Sequence, residues 1–74
     1  MSFIRGSVLF HGVGYLLVEC HDVGYKITMP ESVAHEFTHD VAIYLHEVTR
    51  DDGRELFGFR SVAELELFWK LIAI

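Results

Sequence analysis

Two short segments of this chain contain residues whose types and spacing could do chemistry. In the first, Arg50-Asp51-Asp52-Gly53-Arg54, two adjacent carboxylates stand between two guanidinium groups. An Asp-Gly step between β-branched and aromatic runs predicts a β-hairpin, which would place Asp51 and Asp52 at its exposed tip. Without burial we expect both to be ionised, and so to repel other anions rather than act as an acid and a base. A solvated turn with no function is the alternative.

The second segment, His35-Glu36-Phe37-Thr38-His39, has the His-Glu-x-x-His spacing of zinc peptidases. On a helix, His35 and His39 would share one face and could ligate zinc, while Glu36 could serve as general base for a metal-bound water. A catalytic zinc also needs a third protein ligand, and the β-prone run after residue 39 would end such a helix at once. A small zinc-binding protein or peptidase therefore stays an alternative. Our expectation is two exposed histidines and no metal or cofactor.

The remaining nucleophilic residues form no credible catalytic group. Ser7, Ser32 and Ser61 sit in no nucleophile elbow. Cys20 precedes His21, but neighbours in a strand point to opposite faces, and we expect Cys20 to be half-buried. The chain also lacks a Gly-x-x-x-x-Gly-Lys-Ser/Thr loop for nucleotide phosphates. These patterns predict a protein that is not an enzyme.

Composition limits the class of protein further. The chain has 74 residues, 51% of them apolar, which predicts one small domain with a single core. One cysteine excludes an internal disulfide and fits the cytoplasm, and no apolar run approaches the roughly 18 residues of a membrane span. The net charge of -5 opposes binding to phosphates, and the six basic residues are too scattered to suggest a DNA track. We therefore expect weak DNA binding, if any, and no membrane partner.

Apolar patterning predicts strands followed by a helix. The predicted strands are Ile4–Phe10, Tyr15–Cys20, Tyr25–Met29, Val41–Val48 and Glu55–Phe59. Glycines between the first three strands are expected to supply positive φ, and a short helix is expected from Pro30 to about Phe37. Ser61 and Glu64 form a capping box for a helix that should run to the end of the chain. That helix is more apolar than one neighbour can cover, so we expect a fragment of a longer protein.

Several short segments together, in their order and spacing, resemble the N-terminal domain of the RuvA family, which binds Holliday junctions in bacteria. The matching segments are Ile4-Arg5-Gly6, Val18 to Tyr25, Met29-Pro30, Val48 to Asp52, Leu56 to Phe59 and Leu67 to Ile72. The chain departs from the family pattern at His21-Asp22, where small residues are usual. It also has two aspartates where the family has a glutamate and an aspartate.

The resemblance implies an all-β fold with short helices. A five-stranded oligonucleotide/oligosaccharide-binding (OB) barrel would span residues 1–60, and a C-terminal helix over residues 61–74 would lead into a helix-hairpin-helix domain that this chain lacks. By position, Asp51 and Asp52 would form the family's acidic pin. Arg50 and Arg54 would flank the pin within reach of DNA.

The function implied by the resemblance is recognition and scaffolding of four-way junction DNA by a homotetramer, in recombination and repair. Strand movement would depend on the RuvB ATPase, bound through regions outside this chain. A generic OB barrel that binds single strands or a protein partner is a further alternative. Tyr15, Tyr25 and Tyr44 could supply rings for it, but the sequence shows no basic groove.

Overall fold

Five strands and two helices make up residues 2–72, the part of the chain that this computed structural model describes. In chain order they are β1 Ser2–Gly12, β2 Tyr15–Cys20, β3 Val23–Thr28, α1 Glu31–Ala34, β4 Asp40–Arg50, β5 Gly53–Phe59 and α2 Val62–Ile72. Each predicted strand is present, although the ends differ by up to two residues. Within residues 2–72, neither helix is long and apolar enough to cross a membrane.

The strands close into a barrel in the order β1-β2-β3-β5-β4. Neighbours are antiparallel except β3 and β5, which pair in parallel through Ile27 and Leu56. β1 closes the barrel because its first half pairs with β4 and its second half with β2. The register shifts between Val8 and Phe10, where a bulge bends the strand from one partner to the other. This topology confirms the predicted OB barrel with a C-terminal helix.

Alternation of apolar residues directs one face of each strand into the barrel. The buried apolar residues of the core are Ile4, Leu16, Val18, Ile27, Met29, Ala34, Val41, Ile43 and Leu45. Gly58 of β5 faces the same core, and a Cβ at this position would lie 2.6 Å from Ile27 Cγ2. The missing side chain therefore leaves room for the core side chains Ile27, Met29 and Ile43, on or next to the strands that pair with β5. Cys20 is half-buried, as predicted.

The residues that adopt positive φ in the turns differ in part from those predicted. Gly14 has φ +80, as expected for a turn glycine, but Gly24 lies within β3. Positive φ falls instead on His21 (φ 51) and Asp22 (φ 67), the two residues between β2 and β3. A two-residue hairpin turn of type I′ has positive φ at both positions, and with this turn β3 begins two residues earlier than predicted. These are the positions at which the chain departs from the family's small residues.

Helix α1 is shorter than predicted, whereas the start of α2 agrees with its capping signal. The amide of Glu64 donates to Ser61 Oγ (3.3 Å), as in a capping box. The Glu64 carboxylate accepts from the amide of Arg60 (3.0 Å) rather than from that of Ser61. Phe68 of α2 packs on Phe59 of β5, with ring centroids 5.0 Å apart.

Much of the apolar surface of α2 is exposed. Its exposed apolar residues are Leu67, Trp69, Leu71 and Ile72. This agrees with a helix too apolar for one neighbour. The helix was predicted to continue to residue 74, and residues 73–74 lie outside the described part of the chain.

Candidate functional site

The β4–β5 hairpin carries the predicted acidic pair beyond the wall of the barrel. Pairing along it ends at Arg50 and Gly53, so Asp51 and Asp52 are the two residues of the exposed turn. β1 pairs with β4 only as far as Leu45, and β3 pairs with β5 only at Leu56 and Phe57. The tip half of the hairpin is therefore a two-stranded projection.

Gly53 makes this tip possible. Its φ of +140 is one that L side chains rarely adopt, and no atom lies within 4 Å of where its Cβ would stand. The Asp-Gly signal therefore located the hairpin correctly, but Gly53 is the first residue of β5 rather than part of the turn. The turn itself holds two carboxylates and no other side chains.

The two arginines beside the tip bind carboxylates of the strands. Arg50 Nη1 lies 2.5 Å from Glu55 Oε1, and Arg54 Nη1 lies 3.1 Å from Glu47 Oε2. In residues 2–72, none of the ion pairs involves Asp51 or Asp52. The charges of the strands thus cancel in pairs, and the tip keeps two negative charges.

The strands of the hairpin are also hydrogen-bonded to the rest of the barrel through a side chain of β5. Glu55 Oε2 accepts a hydrogen bond from Thr28 Oγ1 of β3 at 3.0 Å. The hydrogen bonds from Arg50 and then Thr28 lower the pKa of Glu55 below its ordinary value of 4.5. An ionised Glu55 therefore connects both the pin-flanking Arg50 and the neighbouring strand.

Two grooves lie beside β5, and basic residues line both of them. The first groove, of about 320 Å³, is lined by Lys26, Thr28, Arg50, Asp52, Gly53, Arg54, Glu55 and Leu56. The second, of about 570 Å³, opens at the end of the barrel; we call it the mouth groove. Its lining residues are Phe3, Ile4, Arg5, Cys20, His21, Gly24, Tyr25, Lys26, Leu45, Glu47, Arg54 and Leu56.

The basic residues are scattered in the sequence, but the structure brings most of them together along the two grooves. Four of the six, Arg5, Lys26, Arg50 and Arg54, line one groove or the other. They come from β1, β3, β4 and β5, so no local spacing marks them as a group. The barrel topology alone brings them together.

The His-Glu-x-x-His segment does not form the helical zinc site that was considered. Helix α1 ends at Ala34, so His35 and His39 do not share a helical face. The carbonyl of His39 already accepts from the amide of Val8 (2.8 Å), because the chain is turning into β4 beside β1. Glu36 binds Arg60, with Arg60 Nη1 2.7 Å from its Oε2. Among residues 2–72, no three His, Cys, Asp or Glu side chains are grouped to hold a metal ion.

Comparison with known proteins decides the family. The family model described as the RuvA N terminal domain matches residues 1–58. The chain belongs to the RuvA N-terminal domain family. This confirms the resemblance found in the sequence.

Curated RuvA proteins are similar to nearly the whole chain. The relative from Streptococcus equi subsp. zooepidemicus is 39% identical over 75 residues, that from Streptococcus thermophilus is 34% identical, and that from Lactobacillus johnsonii is 33% identical. Each is named Holliday junction branch migration complex subunit RuvA. The similarity covers 99% of this chain and 38% of each relative, so the chain spans well under half of their length.

The hairpin lies inside the region shared with the RuvA N-terminal domain. Residues 1–58 include β1 to β4, the turn at Asp51 and Asp52, and β5 up to Gly58. Helix α2 lies beyond the match to the family model.

Proposed function

We propose that this chain recognises four-way DNA junctions as the N-terminal domain of a branch migration subunit, with Asp51 and Asp52 as its acidic pin. One observation carries the assignment. The two carboxylates stand at an exposed tip, while the adjacent cations of Arg50 and Arg54 bind Glu55 and Glu47. The family match and the names of the relatives support the four-way junction as the DNA on which such a tip would act.

The pin acts by repulsion. Two unit charges about 4 Å apart interact by roughly 1 kcal/mol in bulk water and by several times that near a protein surface. Phosphates are therefore held away from Asp51 and Asp52, and the strands at a crossover are kept apart. Repulsion reads no base, so the role is independent of DNA sequence and is not catalytic.

A homotetramer would place four such pins, and eight carboxylates, at the centre of one junction. The net charge of -5 means that attraction to DNA must come from elsewhere. We propose that helix-hairpin-helix motifs outside this chain supply it, and that the RuvB ATPase drives strand movement. In this assembly Arg50 and Arg54 stabilise the pin rather than neutralise it.

A chimera tests this function. The chain replaces the matching segment of the Streptococcus equi relative, and binding to a four-way junction and to a duplex is measured for the chimera and for its Asp51→Asn/Asp52→Asn variant. We expect junction and duplex affinity to stay level or rise, and junction-over-duplex selectivity to fall roughly fivefold if the carboxylates contribute about 1 kcal/mol. Asn suits a turn as well as Asp does, so the fold should persist.

A charge reversal in the same chimera sharpens the test. Asp51→Lys/Asp52→Lys should raise duplex affinity and steepen its dependence on salt, by up to about 0.9 in logarithmic slope for each new phosphate contact. Glu31→Lys/Glu66→Lys, at two exposed carboxylates outside the hairpin, makes the same change in net charge and is the control. Unchanged selectivity in both pin variants, with assembly intact, would show that the pair is only a solvated turn.

A further inference from the structure

We propose that the mouth groove binds a single unpaired DNA strand beside the pin. This inference rests on the proposed function, because a pin that separates strands leaves unpaired DNA next to the hairpin. All five strands contribute residues to the groove, and nothing in the pin mechanism itself uses Arg5, Lys26 or the aromatic residues near them.

The first argument is charge. Arg5, Lys26 and Arg54 line the mouth groove, against the single carboxylate of Glu47. Among residues 2–72, Arg5 and Lys26 form no ion pair, whereas Arg54 is bound to Glu47. The groove is therefore locally positive in a chain whose net charge is -5. A phosphate backbone is an anion that fits such a site.

The second argument is the presence of exposed rings. Phe3 and Tyr25 line the same groove and are 46% and 37% exposed. The guanidinium of Arg5 lies 5.6 Å from the ring centroid of Phe3. Proteins that bind single strands combine a positive groove with aromatic rings on which bases stack. A duplex cannot offer its bases in this way, so the rings favour an unpaired strand.

The third argument is position. Lys26, Arg54 and Leu56 line both the mouth groove and the first groove described above, so the two are contiguous. Asp52, one of the pin residues, lines the first groove. A strand repelled from the pin would thus meet positive charge at the adjacent end of the barrel. The volume of about 570 Å³ is within the usual size of a ligand site.

The cations are tested by titrating this chain with an oligothymidylate of about twelve nucleotides, with amide chemical shifts and affinity as readouts. We expect shifts around Arg5, Tyr25 and Lys26. Arg5→Gln and Lys26→Gln should each lower the affinity about threefold and reduce the logarithmic salt slope by about 0.7. Lys70→Gln, the same change of charge on α2, should have less effect. Equal losses in all three variants would show a response to net charge alone and overturn the proposal.

Two further variants test the Glu47 carboxylate and the Tyr25 ring of the mouth groove. Glu47→Gln should raise the affinity about threefold, because it removes the negative charge in the groove and releases Arg54; Glu66→Gln is its control. Tyr25→Leu should weaken binding about fivefold or more by removing a stacking surface. A duplex of the same length that binds as well as the single strand would overturn the proposal. Since no junction is present, this result is separate from that of the pin variants.

Discussion

Arg50 and Glu55 meet across the β4–β5 hairpin, with Arg50 Nη1 2.5 Å from Glu55 Oε1. The Arg50 guanidinium, next to the acidic tip in the sequence, is therefore bound to β5. Glu55 also accepts from Thr28 of β3, which links the hairpin to the barrel. This ion pair thus connects the hairpin to the barrel, and together with the Arg54–Glu47 pair it occupies the two cations beside Asp51 and Asp52.

Acid should weaken this contact. The hydrogen bond from Arg50 is the main cause that lowers the pKa of Glu55. Ionised Glu55 therefore stabilises the fold at pH values above its ordinary pKa of 4.5. This contribution is lost as the pH falls through the lowered pKa. We expect Glu55→Gln to lower the free energy of unfolding at about pH 7, with the difference from the parent chain shrinking below about pH 4. Urea unfolding across this range measures it, with Glu66→Gln as the control for charge. A difference that does not change with pH would contradict the prediction.

The isolated chain should bind four-way junctions poorly. Its net charge is -5, and the cations of the hairpin are already paired with glutamates. Fluorescence anisotropy with a labelled junction at about 150 mM salt should give no saturation at micromolar protein. Sub-micromolar affinity under these conditions would show that backbone binding resides in this chain.

The histidines of the 35–39 segment should be dispensable. His35 follows the end of α1 and His39 leads into β4, so their side chains lack a shared helical face. His35→Ala/His39→Ala should leave the unfolding transition of the chain, and junction selectivity in the chimera, unchanged. Stoichiometric zinc that survives dialysis, together with loss of function in the double variant, would restore the metal-site alternative.

A side chain at Gly58 should lower the stability of the fold. An added Cβ would lie 2.6 Å from Ile27 and 2.9 Å from Ile43, both fully buried. Gly58→Ala should therefore destabilise the chain by about 1–3 kcal/mol, because a packed core must shift to admit it. Gly24→Ala is the matched control: it also lies in a strand, and its nearest neighbour would be 3.5 Å away. Thermal unfolding of the two variants compares them, and equal stability would argue against close packing at β5.

Local patterns were sufficient to predict the elements and the position of the pin. Alternating apolar residues located all five strands, and Ser61 with Glu64 located the start of α2. Asp52-Gly53 located the hairpin tip. These features depend on backbone preferences and side-chain alternation within a few residues, which the sequence contains directly. Identifying the barrel also required the resemblance of several segments to one family.

Tertiary structure decided what depends on residues far apart in the chain. The pairing of β4 with β1 begins directly after His39, whose carbonyl accepts from the amide of Val8, so the segment cannot continue as a helix with two zinc ligands on one face. The choice of Glu55 and Glu47 as partners for the arginines follows from strand register. Arg5 and Lys26 became neighbours of the hairpin only through barrel closure. The sequence thus determined by itself which strands form and where two aspartates project, whereas non-local strand pairing decided which charges stay unpaired and where the positive groove lies.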